Sequence, residues 1–487
     1  MPPPGATPRA MRSRVVISAL LVTALTQGAW AKAPAKAKPE AAPSLKYQAF
    51  ELPNGLRVLV HEDHATPQVA VVTWFRVGSK DERPGRTGFA HLFEHIMFKG
   101  SAHVPDGKLD VLLEGAGGWS NAFTSSDMTV YQNVAQSNFL GMTLWLDADR
   151  LAGLTDTLDQ AKLDNQRDVV RNERRQSYEN APYGMAELLN LEQLWPKDFG
   201  YHWSTIGYHE DLVAASTDDV KQFFDNFYVP NNATMVIAGD VTPKAARALV
   251  TKYFGWIPRG PEPARPSYPE PAPITKEIRI SDTDQVQVPR VFITFRGPVS
   301  FSADEPALDL AADVLAAGKS SRLYERLVYR ERLAQDVEAG FSGEELGGNF
   351  QVVATCKPGV APAKLIAAIT EELATLGKTP PAADELSRAQ NAHEAAFLRG
   401  LEPVMSRAIQ LAQYAVQAGD ANYLGKDLAR YRAVTPEAVS AVVSKWLAPT
   451  ARVVLTISPE PKPVKKPPAK KPVAKPVVKP TPVKGGK

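Results

Sequence analysis

Apolar residues fall at different spacings along this chain, and each spacing predicts a different element. Phe89, Leu92, Phe93, Ile96 and Met97 recur at steps of three and four, the period of one buried helix face, between Gly88 and Gly100. Thr87 is placed to cap its start and Gly100 to end it. Upstream, Asn54-Gly55 marks a turn and Leu56 to Val60 alternates, which reads as a hairpin leading into a strand. Val69 to Val77 is a second β-rich run. Leu109 to Glu114 has a short helical pattern, and after Gly117-Gly118 the runs Trp119 to Thr124 and Met128 to Val134 read as a β-hairpin. Phe139 to Leu151 and Thr157 to Tyr178 are helical by period, and Ala233 to Gly239 is a buried strand that closes the unit.

Residues 259–274 interrupt the pattern with six prolines and no apolar period, the signature of a linker. Beyond it the earlier pattern returns. Trp74-Phe75-Arg76-Val77 recurs as Thr294-Phe295-Arg296-Gly297 at an offset of 220, and Tyr228 to Ile237 recurs as Leu447 to Thr456 at an offset of 219. Two matches at spacings one residue apart indicate a duplicated domain. The organisation expected is a first domain over 46–258 and a homologous second domain over 275–457.

Composition adds the ends and the compartment. Hydrophobic content of 44% and charged content of 22% are those of a soluble globular protein. Arg9, Arg12 and Arg14 precede the apolar run Val15 to Val22, and Ala29-Trp30-Ala31 is a small-residue cleavage site, so residues 1–31 read as a secretory signal. This implies a periplasmic or secreted protein; either Met1 or Met11 can serve as its start. Residues 32–45 read as a flexible leader. From 458 to 487 the chain is a tail expected to be disordered, rich in lysine and proline, whose charge suits contact with anionic envelope polymers. Cys356 is the only cysteine, so no internal disulfide forms. The formal net charge of +3 comes from the two ends. Between them the body carries 44 basic against 53 acidic residues, which excludes a nucleic-acid-binding surface as the main function. No run after the signal is long and apolar enough to span a membrane.

The chemistry sits on the helix between Gly88 and Gly100. His91 and His95 stand one turn apart and project from one side, with Glu94 beside them. Imidazoles at i and i+4 suit Zn²⁺, one ion per chain, and a carboxylate next to them suits a general base that takes a proton from water and returns it to a leaving amine. H-x-x-E-H is the reversed form of the common zinc-peptidase pattern. In the second copy the same positions fall on Leu310, Asp313 and Val314, so only the first domain is expected to hold metal. A third ligand must come from elsewhere. Glu173 is a candidate, on a helical segment where it faces inward while Arg171, Arg174 and Arg175 stay in solvent.

His91-x-x-Glu94-His95, followed 78 residues later by Glu173 in the context Arg171-Asn172-Glu173-Arg174-Arg175, resembles the pitrilysin/insulysin-type zinc peptidases, in their bacterial branch related to the mitochondrial processing peptidase. Gly117-Gly118-x-x-Asn121-Ala122-x-Thr124-x-x-Asp127-x-Thr129-x-Tyr131 and the duplication also match, so the likeness runs from about residue 46 to 457. The resemblance implies an α+β fold of two homologous domains, each a mainly antiparallel sheet packed with helices, facing across a cavity. It implies zinc ligands His91, His95 and Glu173, the base Glu94, and a substrate-pairing strand with Asn121, Ala122 and Phe123. Three positions depart from the family pattern. Gln166 stands where many relatives have a second glutamate, so a supporting role behind the ligands is expected of an amide. Val328 and Gln335 stand where the non-zinc half of relatives carries an Arg and a Tyr that hold substrate and oxyanion. That gap implies a homologous non-zinc partner subunit supplying the Arg/Tyr pair, and hence a heterodimeric endopeptidase acting on extended peptides. The rival reading is a non-catalytic envelope assembly or processing-complex factor stabilised by zinc.

Overall fold

The computed structural model describes residues 43–461; the expected secretory signal, most of the expected leader and nearly all of the tail lie outside the described residues. Strands Gln48–Glu51 (β1), Arg57–Glu62 (β2), Gln68–Phe75 (β3), Trp119–Thr124 (β4), Thr129–Gln136 (β5) and Ala233–Gly239 (β6) form one sheet in the order β1-β2-β6-β3-β5-β4. Strands Ile278–Asp284 (β7), Arg290–Gly297 (β8), Ala334–Gly343 (β9), Gly348–Cys356 (β10) and Arg452–Pro459 (β11) form a second in the order β7-β11-β8-β10-β9. The two orders superpose when β2, β6, β3, β5 and β4 are matched to β7, β11, β8, β10 and β9. Each sheet has one parallel pair, β2 with β6 and β7 with β11, and is otherwise antiparallel. The duplication read from two short matches is therefore a duplication of the whole sheet plan. The last strand runs through Pro459, and Glu460 N–H still donates to Asp284 O, so the fold continues beyond the expected 457. At the other end Leu45 already packs on the protein.

The first half carries helices Phe89–Ile96 (α1), Lys108–Gly115 (α2), Leu140–Gly153 (α3), Gln160–Arg174 (α4), Ala186–Leu194 (α5), His209–Ala214 (α6), Thr217–Phe227 (α7) and Pro243–Phe254 (α8). The second carries Glu305–Ala316 (α9), Pro362–Lys378 (α10), Ala383–Gly400 (α11), Val404–Gln413 (α12), Leu424–Arg432 (α13) and Pro436–Trp446 (α14). Most of them cover one face of their own sheet. One helix of each half crosses over. α12 packs Met405, Ala408, Leu411 and Ala412 against Ala70, Val72, Trp74, Val130, Val236 and Ala238 of the first sheet. Reciprocally, α5 lays Ala186 and Leu194 on Phe292, Leu455, Ile457 and Val453 of the second.

This exchange explains why β3 and β6 read as continuous apolar runs instead of alternating ones. Val69, Val71 and Phe75 face the α1 side, while Ala70, Val72 and Trp74 face α12, so both faces of the strand are buried. A fully buried aliphatic side chain contributes about 1.5–3 kcal/mol, so the exchanged helices bind the halves together strongly. Arg57 donates to Ala415 O at 3.1 Å and Arg296 to Leu194 O at 2.5 Å across the same two contacts. A cavity of about 340 Å³ remains where α5 meets the second sheet, lined by Tyr183, Glu187, Asn190, Phe292, Thr294 and Gln351; none of His91, His95 or Glu173 borders it.

The proline-rich segment 259–274 is strapped down along its length. Arg265 donates to Asp81 at 2.9 Å and to Asn232 at 2.7 Å, the Tyr268 hydroxyl donates to Lys80 O at 2.5 Å, and Ala272 O accepts from Arg296 at 2.6 Å. Among the described residues no helix is long and apolar enough to cross a membrane.

Candidate metal centre

α1 starts at the expected place, but its start is made differently. Gly88 is the cap residue, with φ +82, and it has no side chain to offer. Gly207, with φ +69, lies so close that a Cβ on it would sit 2.4 Å from Gly88 Cα, so both positions need glycine. The free N–H groups of the first turn are taken by a carboxylate from outside the helix. Glu82 Oε2 accepts from Gly88 N at 2.9 Å and Oε1 from Ala90 N at 2.7 Å. Thr87, expected to cap, instead donates its hydroxyl to Asp211 at 2.6 Å. Leu92, Phe93 and Ile96 are buried in the core, which turns His91 and His95 to the opposite side.

α4 begins with Asp159 accepting from Lys162 N at 2.8 Å and packs alongside α1 through Leu163 and Val170. Its last turn carries Glu173 to the histidines. His91 Nε2 and His95 Nε2 lie 3.3 Å apart, and Glu173 Oε2 lies 3.7 Å from the first and 3.3 Å from the second. A tetrahedral ion with bonds of about 2.0–2.1 Å sets its ligand atoms roughly 3.3–3.4 Å apart. The three atoms fit such an ion, and they form the one group of three or more potential ligands among the described residues. Protonation states agree. Burial first, then the neighbouring His95, holds His91 below its ordinary pKa, and the hydrogen bond from His95 holds Glu173 below the usual glutamate value.

Glu94 stays outside the ligand group. Its Oε2 accepts from the Thr124 hydroxyl at 2.5 Å, and burial pushes its carboxyl above the usual range while that bond pulls it back. Thr124 ends β4, the edge strand of the first sheet. Cross-strand partners share a face. Ala122 opposite Tyr131 and Thr124 opposite Thr129 therefore look toward α1, whereas Asn121 opposite Gln132 and Phe123 opposite Val130 look the other way. Among the described residues the outer backbone edge of β4 has no strand partner.

Residues 57–194 match the insulinase family, peptidase family M16, and residues 214–392 match the M16 inactive domain. This chain belongs to peptidase family M16. It is 30% identical to the zinc protease PqqE of Helicobacter pylori over 377 residues, covering 76% of this chain and 84% of that protein. It is 28% identical to the mitochondrial-processing peptidase subunit beta of Blastocladiella emersonii over 279 residues, 56% of this chain and 57% of that one. The crystal structure of a protease from Helicobacter pylori is similar with a TM-score of 0.79 at 27% identity, covering 85% of this chain and 100% of that one. The M16 relatives named zinc proteases agree with the metal chemistry of the ligand set.

In this M16 chain several residues stand apart from the ligand group. Gln166 is buried on α4, but its amide donates to Asn165 at 2.6 Å, while the buried Nδ1 of His91 has no partner among the described residues. Arg174, expected in solvent, is 7% exposed: it donates to Gly207 O and to Glu179 at 3.1 Å, fastening the end of α4 to the loop before α6. Val328 packs on the core of the second half, and Gln335 spends its amide on Cys356 O at 3.1 Å. Sequence reasoning missed Glu82 and the role of Thr124. Thr124 was detectable, because it alternates with Ala122 on the strand; Glu82 carried no local signal.

Proposed function

We propose that this chain is a zinc-dependent endopeptidase that hydrolyses extended peptides or unfolded segments in the cell envelope, as the catalytic subunit of a heterodimer. The observation that carries the reading is the convergence of His91, His95 and Glu173 beside Glu94, with a free strand edge alongside. The three ligands would hold one zinc ion, which supplies a Lewis acid at a scissile carbonyl and lowers the pKa of a water. Glu94 takes the proton of the attacking water and returns it to the leaving amine, a role suited to a carboxyl whose pKa is raised by burial. Thr124 holds that carboxylate on the side facing β4. An extended peptide adds to the β4 edge through main-chain hydrogen bonds, with Asn121, Ala122 and Phe123 setting its register. Gln166 keeps a supporting place within α4.

The engagement of Val328 and Gln335 within the second half supports a partner subunit as the source of the Arg/Tyr pair. The charge and cleavage pattern of residues 1–31 supports export to the periplasm or beyond, and the lysines after Glu460 support contact with anionic envelope polymers. The same Val328 and Gln335 also favour a second reading, a zinc-stabilised assembly factor without catalysis.

One experiment separates them. Purified chain is assayed for zinc content and for cleavage of a quenched unstructured peptide, alone and with a homologous chain bearing the Arg/Tyr pair. Glu94→Gln is expected to keep about one zinc and to lose about 10²–10⁴ in rate, as for loss of a general base. No cleavage by either mixture supports the assembly reading. Full activity from the chain alone removes the heterodimer.

A further inference from the structure

The short segment before α1 joins more of the molecule than its four residues suggest. Ser79 N and Lys80 N donate to Ser125 O at 3.1 Å and Ser126 O at 2.9 Å, in the turn directly after Thr124. Trp203 Nε1 donates to Ser79 O at 3.0 Å. The Tyr268 hydroxyl, from the proline-rich segment, reaches Lys80 O at 2.5 Å and Glu82 O at 3.4 Å. Lys80, 5% exposed, meets Asp81 at 3.1 Å and, from the β9–β10 turn of the second half, Glu345 at 3.5 Å. That turn is itself seated on the first half, because Glu345 N donates to Asp127 at 2.8 Å and Leu346 N to the Tyr201 hydroxyl at 2.9 Å.

Glu82 ends this segment, 3% exposed, with one carboxylate oxygen on Gly88 N and the other on Ala90 N. Ala90 is the residue before the first ligand. Two N–H bonds to separate oxygens fix both the position of the helix end and its rotation, and hence the direction in which His91, Glu94 and His95 point. Its two acceptor oxygens also meet the favourable end of the helix dipole. Burial pushes the Glu82 carboxyl above its ordinary range and the two N–H donors pull it back.

We infer that Glu82 is a positioning residue for the metal-ligand helix, and that the second half and the proline-rich segment act on the metal centre through residues 79–82. The inference rests on the metal-centre reading. It makes the second half a part of the site's alignment although, among the described residues, no hydrogen bond or ion pair joins its side chains to the ligands.

The test is zinc affinity, measured by chelator competition well below the unfolding temperature, with the split between kcat and KM as a second readout. Glu82→Gln keeps the shape but turns an amide NH₂ toward one N–H donor. It is expected to weaken zinc binding about 10–100-fold, the usual loss when a partner that orients metal ligands is altered. Its kcat is expected to fall in step while KM stays within about twofold, because the β4 edge is untouched. Tyr268→Phe removes one hydroxyl from a partly buried ring, so the chain still folds, and it is expected to weaken zinc about three- to fivefold, as for one lost hydrogen bond. A Glu82→Gln protein that melts earlier but binds zinc as tightly as wild type overturns the inference. If Glu82→Gln does not fold, unchanged zinc affinity in Tyr268→Phe overturns it. A wild-type chain that binds zinc but cleaves nothing removes the peptidase reading and leaves this one standing; a wild-type chain that binds no zinc removes both.

Discussion

α1 and α9 occupy the same place in the two copies of one sheet plan, yet among the described residues only α1 contributes to a group of potential metal ligands. In α1 the side opposite the core presents His91 and His95, and α4 delivers Glu173 to them. In α9 the matching positions hold Leu310 and Val314, both buried in the second core, with Asp313 at the place of the base. α9 keeps an acidic face of another kind: Asp309 accepts from the Tyr431 hydroxyl at 2.6 Å. Burial pushes Asp309 up to about 7 and Asp313 up to about 6. The duplication therefore preserved a frame, and each copy spent the same helix differently: one on potential ligands, one on packing.

Paired substitutions at the matched position break this comparison most sharply. His91→Ala is expected to abolish zinc binding and hydrolysis, while the metal-free fold loses no more than about 1 kcal/mol, since it removes no core side chain. Leu310→Ala is expected to do the reverse, lowering stability by about 2–5 kcal/mol through a cavity while zinc stays bound. Metal analysis and urea unfolding on both variants check the pair. A Leu310→Ala protein that loses its zinc at full stability would contradict the division of labour between the helices.

The exchanged helices sharpen the same comparison. Leu411 lies on α12, in the second half by sequence, but is fully buried on the first sheet. Leu411→Ala is expected to cost about 2–5 kcal/mol and to shift a single unfolding transition, followed by fluorescence and by circular dichroism. Two separated transitions would show that the halves fold independently despite the exchange.

The smallest effect is on pH dependence. Asp309 titrates near 7 in the fold against about 3.9 in the unfolded chain. The folded state thus holds the extra proton between these values, so the stability Asp309 contributes is fully present below about pH 3.9 and is lost as pH rises through about 7. Asp309→Asn keeps an acceptor for Tyr431 and is expected to flatten that decline, seen as a urea midpoint less dependent on pH between 4 and 7. An unchanged slope would mean that Asp309 is ionised throughout. In the first half Glu94 is also raised by burial, and Thr124 opposes it. Thr124→Val is therefore expected to move the acid limb of kcat/KM to higher pH, since the base is lost at a higher pH when its pKa rises.

Local pattern was enough for much of this molecule. The period of Phe89, Leu92, Phe93 and Ile96 placed α1 and its ligand side, because a helix repeats every 3.6 residues whatever surrounds it. The H-x-x-E-H spacing carried the candidate ligands His91 and His95, and the offsets of 219 and 220 carried the duplication. Segment 259–274 was legible as a connection, though not as a strap held by Arg265 and Tyr268.

What the sequence by itself determined were the elements around the H-x-x-E-H helix, the copy number of the domain and the residue types able to bind zinc, since each depends on neighbours within a few residues or on a repeat. Tertiary structure alone decided that α12 covers the first sheet and α5 the second, that Arg174 is buried, that Thr87 serves Asp211, and that Glu82 holds the start of α1. These depend on contacts between residues that the chain brings together only after folding, some more than 300 positions apart, as with Arg57 and Ala415. No local period records such a contact, because burial and hydrogen-bond satisfaction are set by whichever surface arrives.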